Sequence, residues 1–414
     1  SLCAAARFSP HLSADGTRLL IAACGTALAP SQPVQLRLAA CRALSDVCEA
    51  AESSQSGKGD DRAAVLAASA SELLTPIVSL LSLPSEDAVL LSLETTSSLL
   101  RTNPELAAAA ESWLAPLLLQ LWSARSTEHL VTSAVVQVIR SLAESPRALP
   151  GLASRLLPAI AEVFQLQLRA DSEHAARVAA CSPAAGPTTT TTQGGEEEED
   201  PGAAIDPLRP ALELLSNVVL HPSTLDRTEA NASLLQRVCT GVLPLLLQAM
   251  SSAREPELIR AGCGCLARMV RRGALRGDGR AGSTGDESSA MLTQWQMTLL
   301  TMLRPSGAEA DHLADGVVPL VGKLILYAPH CLQGQGEGLV GAMVAWLGRA
   351  RLLGLVQEIL LVLSRVVHSP VLGPAYLVDR LSRLPDMRRP GALATLQGGE
   401  YGTSALPFVI RTWT

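Results

Sequence analysis

The stretch that decides the fold is Leu73-Leu74-Thr75-Pro76-Ile77-Val78, because it returns. It reappears as Trp113-Leu114-Ala115-Pro116-Leu117-Leu118, as Arg155-Leu156-Leu157-Pro158-Ala159-Ile160, and as Gly241-Val242-Leu243-Pro244-Leu245-Leu246. The prolines are 40, 42 and 86 residues apart. A period near 40 is that of HEAT and armadillo units, paired helices of roughly 40–47 residues. The longest interval is one period plus an insertion.

Each phrase is followed by a second apolar segment with helical spacing. After Pro76 it is Val89, Leu90, Leu93, Leu99 and Leu100. After Pro116 it is Leu130, Val131, Ala134, Val135, Val138, Ile139 and Leu142. After Pro244 it is Leu258, Ile259, Cys263, Leu266, Met269 and Val270. Intervals of three, four and seven put these side chains on one stripe of an α-helix. Such a helix buries its stripe only against neighbours, and stacked neighbours make a solenoid. The apolar residues ahead of each proline place it inside the first helix of a pair, where it bends that helix, since an interior proline loses a hydrogen bond and clashes with the preceding turn. Pro319, in Val317-Val318-Pro319-Leu320, falls off the period and is assigned to a second helix.

Composition agrees. Of 414 residues, 48% are hydrophobic but only 3% aromatic. A chain rich in Leu, Ala and Val and poor in aromatics favours helix over strand. The fold class expected is all-α, an α-solenoid (superhelix) of HEAT/armadillo-like repeats in one continuous array. Its repeats occupy 1–169, 205–274 and 290–414. A disordered insertion at 170–204 carries Thr188–Thr192 and then Glu196, Glu197, Glu198, Glu199 and Asp200; 275–289 is a flexible Gly/Ser-rich linker, and Ser53–Asp61 a short polar loop. Such polar, charged segments bury too little apolar area to offset their ordering entropy.

The net charge of −6 and the scarcity of aromatics argue against direct nucleic-acid binding. No segment has the ~18 uninterrupted apolar residues of a membrane span, so no membrane insertion is expected. Nine cysteines without framework spacing predict a reducing compartment. Cys24, Cys41, Cys48 and Cys239 sit in apolar helical patterns and are read as small core hydrophobes.

Few motifs suggest chemistry, and none makes an active site; no catalytic residue, metal or cofactor is expected. Gly277-Asp278-Gly279-Arg280-Ala281-Gly282 spells a dinucleotide loop but lacks the preceding strand that gives it meaning. Cys263-Gly264-Cys265 is too closely spaced for a zinc knuckle. His330 and Cys331 are adjacent and so point apart on a helix. Asn231-Ala232-Ser233 spells a glycosylation sequon with no secretory signal beside it. Arg268, Arg271, Arg272 and Arg276 complement a helix C-terminus. The acidic run Glu196–Asp200 is the one candidate site, a surface for basic cargo.

A further set of segments, in order along the chain, carries a family resemblance. These are Leu36-Arg37-Leu38-Ala39-Ala40-Cys41-Arg42-Ala43-Leu44; Leu93-Glu94-Thr95 followed by Asn103-Pro104-Glu105-Leu106; Gly264-Cys265-Leu266; Val366-Val367-His368-Ser369 with Leu381-Ser382-Arg383-Leu384-Pro385; and the closing Arg411-Thr412-Trp413-Thr414. In that order the chain resembles the importin-β (karyopherin-β) nuclear transport receptors, and most closely their importin-nine subtype. The insertion at Ala170–Ala204 departs from the family pattern.

The resemblance implies a receptor that shuttles between cytoplasm and nucleus. It would bind basic cargo such as histones and ribosomal proteins, contact nucleoporins, and release cargo under Ran-GTP. It places the main Ran-binding repeats before Ser1 and the family's own acidic loop after Thr414, so that this chain would be a middle-to-late piece. A HEAT scaffold without a transport role is the alternative.

Overall fold

The computed structural model describes residues 2–54, 61–181, 208–216, 229–253, 255–273, 285–304, 310–332, 337–347, 349–384 and 409. Among them there are seventeen α-helices and no strand. Adjacent helices pack in two layers in the manner of a helical-repeat solenoid.

The chain divides into two compact units, Ser1–Ile160 with Glu198–Leu234 and Ala161–Glu197 with Leu235–Thr414, so that the helices Leu149–Cys181 and Glu229–Gly241 are each shared between them. The first unit holds α1 (Leu2–Arg7), α2 (Ala14–Ala27), α3 (Val34–Ser54), α4 (Asp61–Val78), α5 (Glu86–Thr102), α6 (Pro104–Ala124), α7 (His129–Ala143), the start of α8 (Leu149–Cys181) and α9 (Leu208–Leu214). In one layer α1, α3, α5, α7 and α9 pack side by side; in the other α2 packs on α4, and α4 on α6. Successive helices join the layers, α2 on α3, α4 on α5 and α6 on α7. A core runs between them, with Leu66, Leu93, Leu114 and Val135 fully buried.

The second unit holds most of α10 (Glu229–Gly241), then α11 (Leu243–Ser252), α12 (Pro256–Arg271), α13 (Gly285–Met302), α14 (Ala310–Tyr327), α15 (Glu337–Leu347), α16 (Leu353–His368) and α17 (Gly373–Arg383). Here α12, α14 and α16 form one layer, and α11, α13, α15 and α17 the other.

Tertiary hydrogen bonds obey the same period. Arg37 Nη2 donates to Pro76 O (3.3 Å) and to Ser79 Oγ (2.6 Å). Arg125 Nη2 reaches Leu83 O (3.1 Å), Trp346 Nε1 reaches Leu303 O (2.8 Å), and Tyr376 Oη reaches Leu332 O (2.7 Å). Each spans 39 to 44 residues. They tie one repeat to the next and satisfy carbonyls that helix ends leave open.

The prolines behave in two ways. Pro76, Pro116 and Pro158 lie inside α4, α6 and α8, as the repeated phrase predicts. Pro319 lies inside α14, in the layer of α12 and α16, so it does belong to a second helix. Pro244 differs: it stands in the first turn of α11, and Leu234–Gly241 and Leu243–Ser252 meet at 43°. A proline fits the first turn, where its missing N–H would have no helical partner. The expected bend there is a break between two helices.

Three other expectations need correction. Leu130 is 65% exposed; it lies in the first turn of α7, on the side away from the packed stripe. The predicted insertion at Ala170–Ala204 begins too early, because α8 continues to Cys181. Alanines favour that helix, and Gln167 Nε2 donates to Asp171 Oδ1 one turn on (2.9 Å). In the predicted linker Leu275–Ser289, the last five residues are helical, since α13 starts at Gly285. Residues 182–204, 274–284 and 55–60 lie outside the described residues.

Helix ends and close approaches follow local chemistry. The C-terminus of α12 is closed by Gly273, whose φ of 91° suits a residue without Cβ; its N–H donates to Val270 O (3.0 Å). Gly316 lets α14 approach α12, as a Cβ there would stand 3.3 Å from Arg260 Cα.

By length and composition, Ala63–Ser82 is apolar enough to cross a membrane. It corresponds to α4 and its following turn, and α4 packs against α2, α5 and α6 with Leu66, Ala70, Leu73, Leu74 and Ile77 buried.

Candidate functional site

The side of a repeat helix opposite its buried stripe is what a solenoid offers to partners. In the first unit the layer α3–α5–α7 offers such a face. Its register is fixed by side chains that meet across it. Ser45 and Thr95 hydroxyls are 3.0 Å apart, Thr95 also donates to Cys41 O (3.3 Å), and Ser97 and Ser141 hydroxyls are 2.8 Å apart. Arg101 Nε pairs with Glu52 Oε1 at 3.1 Å. The α3–α5 contacts run in the same order along both helices, so those two are parallel, and α7 packs beside α5 through the Ser97–Ser141 contact. Small hydroxyl and Ala side chains at the crossings let the backbones come close.

One face of α3 bears Arg42, Asp46, Glu49 and Glu52 at helical spacing. The same side of α5 carries Asp87, Glu94 and Arg101, and that of α7 Gln137 and Arg140, with Glu144 at its C-cap. Six carboxylates thus stand with three guanidiniums. Two of those guanidiniums are engaged with carboxylates of the face, Arg101 with Glu52 and Arg140 with Glu144 (4.0 Å). Carboxylates outnumber guanidiniums on this side of the layer, and Asp46, Glu49, Asp87 and Glu94 are half-buried or exposed.

The layer α12–α14–α16 of the second unit offers a face of different character. Arg260 pairs with Glu257 (2.5 Å) and lies 3.9 Å from Asp315. Asp311 Oδ2 accepts from the backbone N–H of Arg351 (2.7 Å) and Leu352 (3.2 Å), tying α14 to the start of α16. Beyond these, towards the C-terminal ends, come Arg268 and Arg271 on α12, Lys323 on α14, and Arg365 and His368 on α16.

The cysteines play a packing role. Cys24, Cys41, Cys48, Cys239, Cys263 and Cys265 are buried and take part in no disulfide. Burial pushes the Cys48 and Cys263 thiols up to about 12, and Cys24 and Cys239 to about 11. Cys41 is likewise pushed up to about 12 by burial, against a hydrogen bond from Thr95. A buried neutral thiol is a poor nucleophile and a poor metal ligand. Among the described residues no three His, Cys, Asp or Glu side chains are grouped to hold a metal ion.

Glu196, Glu197, Glu198, Glu199 and Asp200, the candidate named from sequence, lie outside the described residues, as does the Gly277–Gly282 loop. The sequon at Asn231–Ser233 falls within α10. Both charged faces went unnoticed in the sequence, although their signal was present as the complement of the apolar stripes. It was not usable there, because no single helix carries either face.

No family model and no curated protein matches the chain. Among solved structures it is similar to the crystal structure of an engineered protein, a structural-genomics target. The identity is 12% and the TM-score 0.37, with 100% of this chain and 93% of the other covered. A likeness that weak carries no argument about function.

Proposed function

We propose that this chain is a segment of a nuclear import receptor that holds basic protein cargo, with the α3–α5–α7 face as its cargo surface. The observation that carries the proposal is the acidic character of that face, together with the ordered resemblance of the sequence to the importin-β family. A parallel layer of helices holds Asp46, Glu49 and Glu94 on a rigid frame, and an array of carboxylates attracts lysine- and arginine-rich segments and speeds their encounter. Histones and ribosomal proteins are the cargo class the resemblance suggests. No chemical step is assigned to the chain; its work is binding, with release governed by Ran-GTP acting through the parent receptor and passage assisted by nucleoporins.

The test is titration of the chain with a core-histone dimer at moderate salt, beside the charge-reversed variant Asp46→Arg/Glu49→Arg/Glu94→Arg. Binding weakened about tenfold or more by the reversal is expected, as for charge pairs at an interface. Absence of histone binding, or binding indifferent to the reversal, would leave a HEAT scaffold whose partners lie elsewhere.

A further inference from the structure

Among the described residues two charged side chains are buried, Glu111 and Arg37, each 8% exposed. Glu111 has its counter-charge in Arg155. Arg37 has no carboxylate beside it among the described residues; its guanidinium lies against the turn that follows α4. There Nη2 donates to Pro76 O (3.3 Å) and to Ser79 Oγ (2.6 Å), while Nε is buried with no acceptor. A buried cation is costly unless it is both paired and hydrogen-bonded.

Helix geometry accounts for part of this arrangement. Pro76 lies in the last turn of α4, where carbonyls lack helical partners and a cation complements the macrodipole. That leaves the idle Nε–H and the bond to Ser79 unexplained. Ser79 opens the short 3-10 turn Ser79–Ser82 and is exposed, so a buried cation and a solvent-facing hydroxyl share one hydrogen bond. The hydroxyl in turn donates to Pro76 O (2.6 Å). Arg37 and Ser79 are 42 residues apart, so their bond joins one repeat to the next.

We propose that Ser79 is a phosphorylation site and that Arg37 is the residue that receives its phosphoryl group. A protein serine kinase transfers the γ-phosphoryl of ATP to Ser79 Oγ. The Oγ–P bond forms, the bond from phosphorus to the departing ADP oxygen breaks, and the hydroxyl proton goes to solvent. The new group carries about two negative charges at neutral pH and three acceptor oxygens. It supplies the counter-charge that Arg37 lacks and an acceptor for its Nε–H, in the charge-assisted pairing that guanidinium favours. Pro76 O loses the Ser79 hydroxyl and keeps Arg37 Nη2. The modified turn is thereby clamped to α3 of the preceding repeat. Neither residue belongs to the cargo face proposed above, so the two proposals stand or fall separately.

The experiment compares the full chain carrying genetically encoded phosphoserine at position 79 with the unmodified chain, each with Arg37 and with Arg37→Gln. Phosphorylation should raise the melting temperature of the Arg37 chain by about 2–4 °C. In Arg37→Gln it should lower it, because an unmatched negative charge at the C-terminal end of α4 opposes the macrodipole. Phosphorus NMR gives a second readout. The phosphoserine should titrate below the value of about 6 usual for a phosphate monoester, return to it in Arg37→Gln, and keep part of the shift in Arg37→Lys. The titration with Arg37 present decides the matter even if Arg37→Gln does not fold. An unshifted midpoint there, or a melting temperature lowered by phosphorylation with Arg37 in place, overturns the proposal. So does an equal stabilisation of the unmodified chain by inorganic phosphate that Arg37→Gln abolishes, since the guanidinium would then be a free-phosphate site. Lastly, incubation with ATP and a mixed serine-kinase preparation should label Ser79 in phosphopeptide maps, and absence of label there counts equally against it.

Discussion

Thr96 is fully buried on α5, and its hydroxyl has no hydrogen-bond partner. An unpaired buried hydroxyl costs about 1–3 kcal/mol, so the near-isosteric Thr96→Val should raise stability by about 1 kcal/mol, read as a higher urea midpoint with an unchanged m-value. The cysteines give a residue-scale prediction of opposite sense. Their folded pKa values, about 11 to 12, lie above the ordinary value of 9.0, so the folded chain holds its thiol protons more tightly than the unfolded one. That contribution is complete below pH 9 and is lost as pH rises towards 11–12. The melting temperature should therefore fall on this alkaline limb, and Cys48→Ala/Cys263→Ala should flatten the slope. In the native state at neutral pH, mass spectrometry after alkylation should find Cys24, Cys41, Cys48, Cys239 and Cys263 unlabelled. Rapid labelling of any of them would mean the core opens far more readily than its packing allows. The burial of these thiols was legible in the sequence because each sits on an apolar stripe. Thr96 was not, since a threonine has the same spelling whether or not a partner reaches it.

Single helices show how caps join repeats. Asn103 is the N-cap of α6: its Oδ1 accepts from Glu105 N and Leu106 N, both at 3.1 Å, and its Nδ2 donates to Ala67 O of α4 (3.1 Å). One side chain thus starts a helix and fastens it to the repeat before. Asn103→Ala should cost about 1–2 kcal/mol, the worth of a cap. Asn103→Asp keeps the cap and loses only the tie to Ala67, so it should cost less; equal losses would mean that the bond to α4 and not the cap carries the effect. Beside it, Glu111 and Arg155 pair between α6 and α8, with Glu111 8% exposed. Gly151 makes room for that carboxylate, since a Cβ there would lie 2.6 Å from Glu111 Oε2. The Asn-Pro-Glu start of α6 is a sequence signal for a helix N-terminus. Its second hydrogen bond is not, because Ala67 is distant in the chain.

Across each unit, stability is that of stacked layers, in which a repeat touches only its neighbours. Leu363 is fully buried on α16, whose packing partners include α14, α15 and α17. Leu363→Ala should cost about 2–5 kcal/mol through the cavity it leaves. Hydrogen exchange should quicken in α14, α15, α16 and α17 and fade towards α11 within the same unit. A uniform rise through the unit would show all-or-none cooperativity instead. The binding prediction belongs to this scale too, as the charged face exists only where three helices pack together.

The sequence by itself determined the repeat. A proline phrase near a 40-residue period and stripes at three, four and seven residues are local patterns, and a helix with such a stripe has one physical outlet, burial against the next. That is why the all-α repeat, the buried cysteines and the placement of Pro319 were readable. Tertiary structure alone decided the rest. Whether Pro244 bends a helix or begins one depends on how the chain packs around it. Whether Leu130 is core or surface depends on which side of α7 meets its neighbours. The face around Glu94 and the meeting of Arg37 with Ser79 required the register between helices, set by contacts such as Ser97 with Ser141, which join residues a full repeat apart.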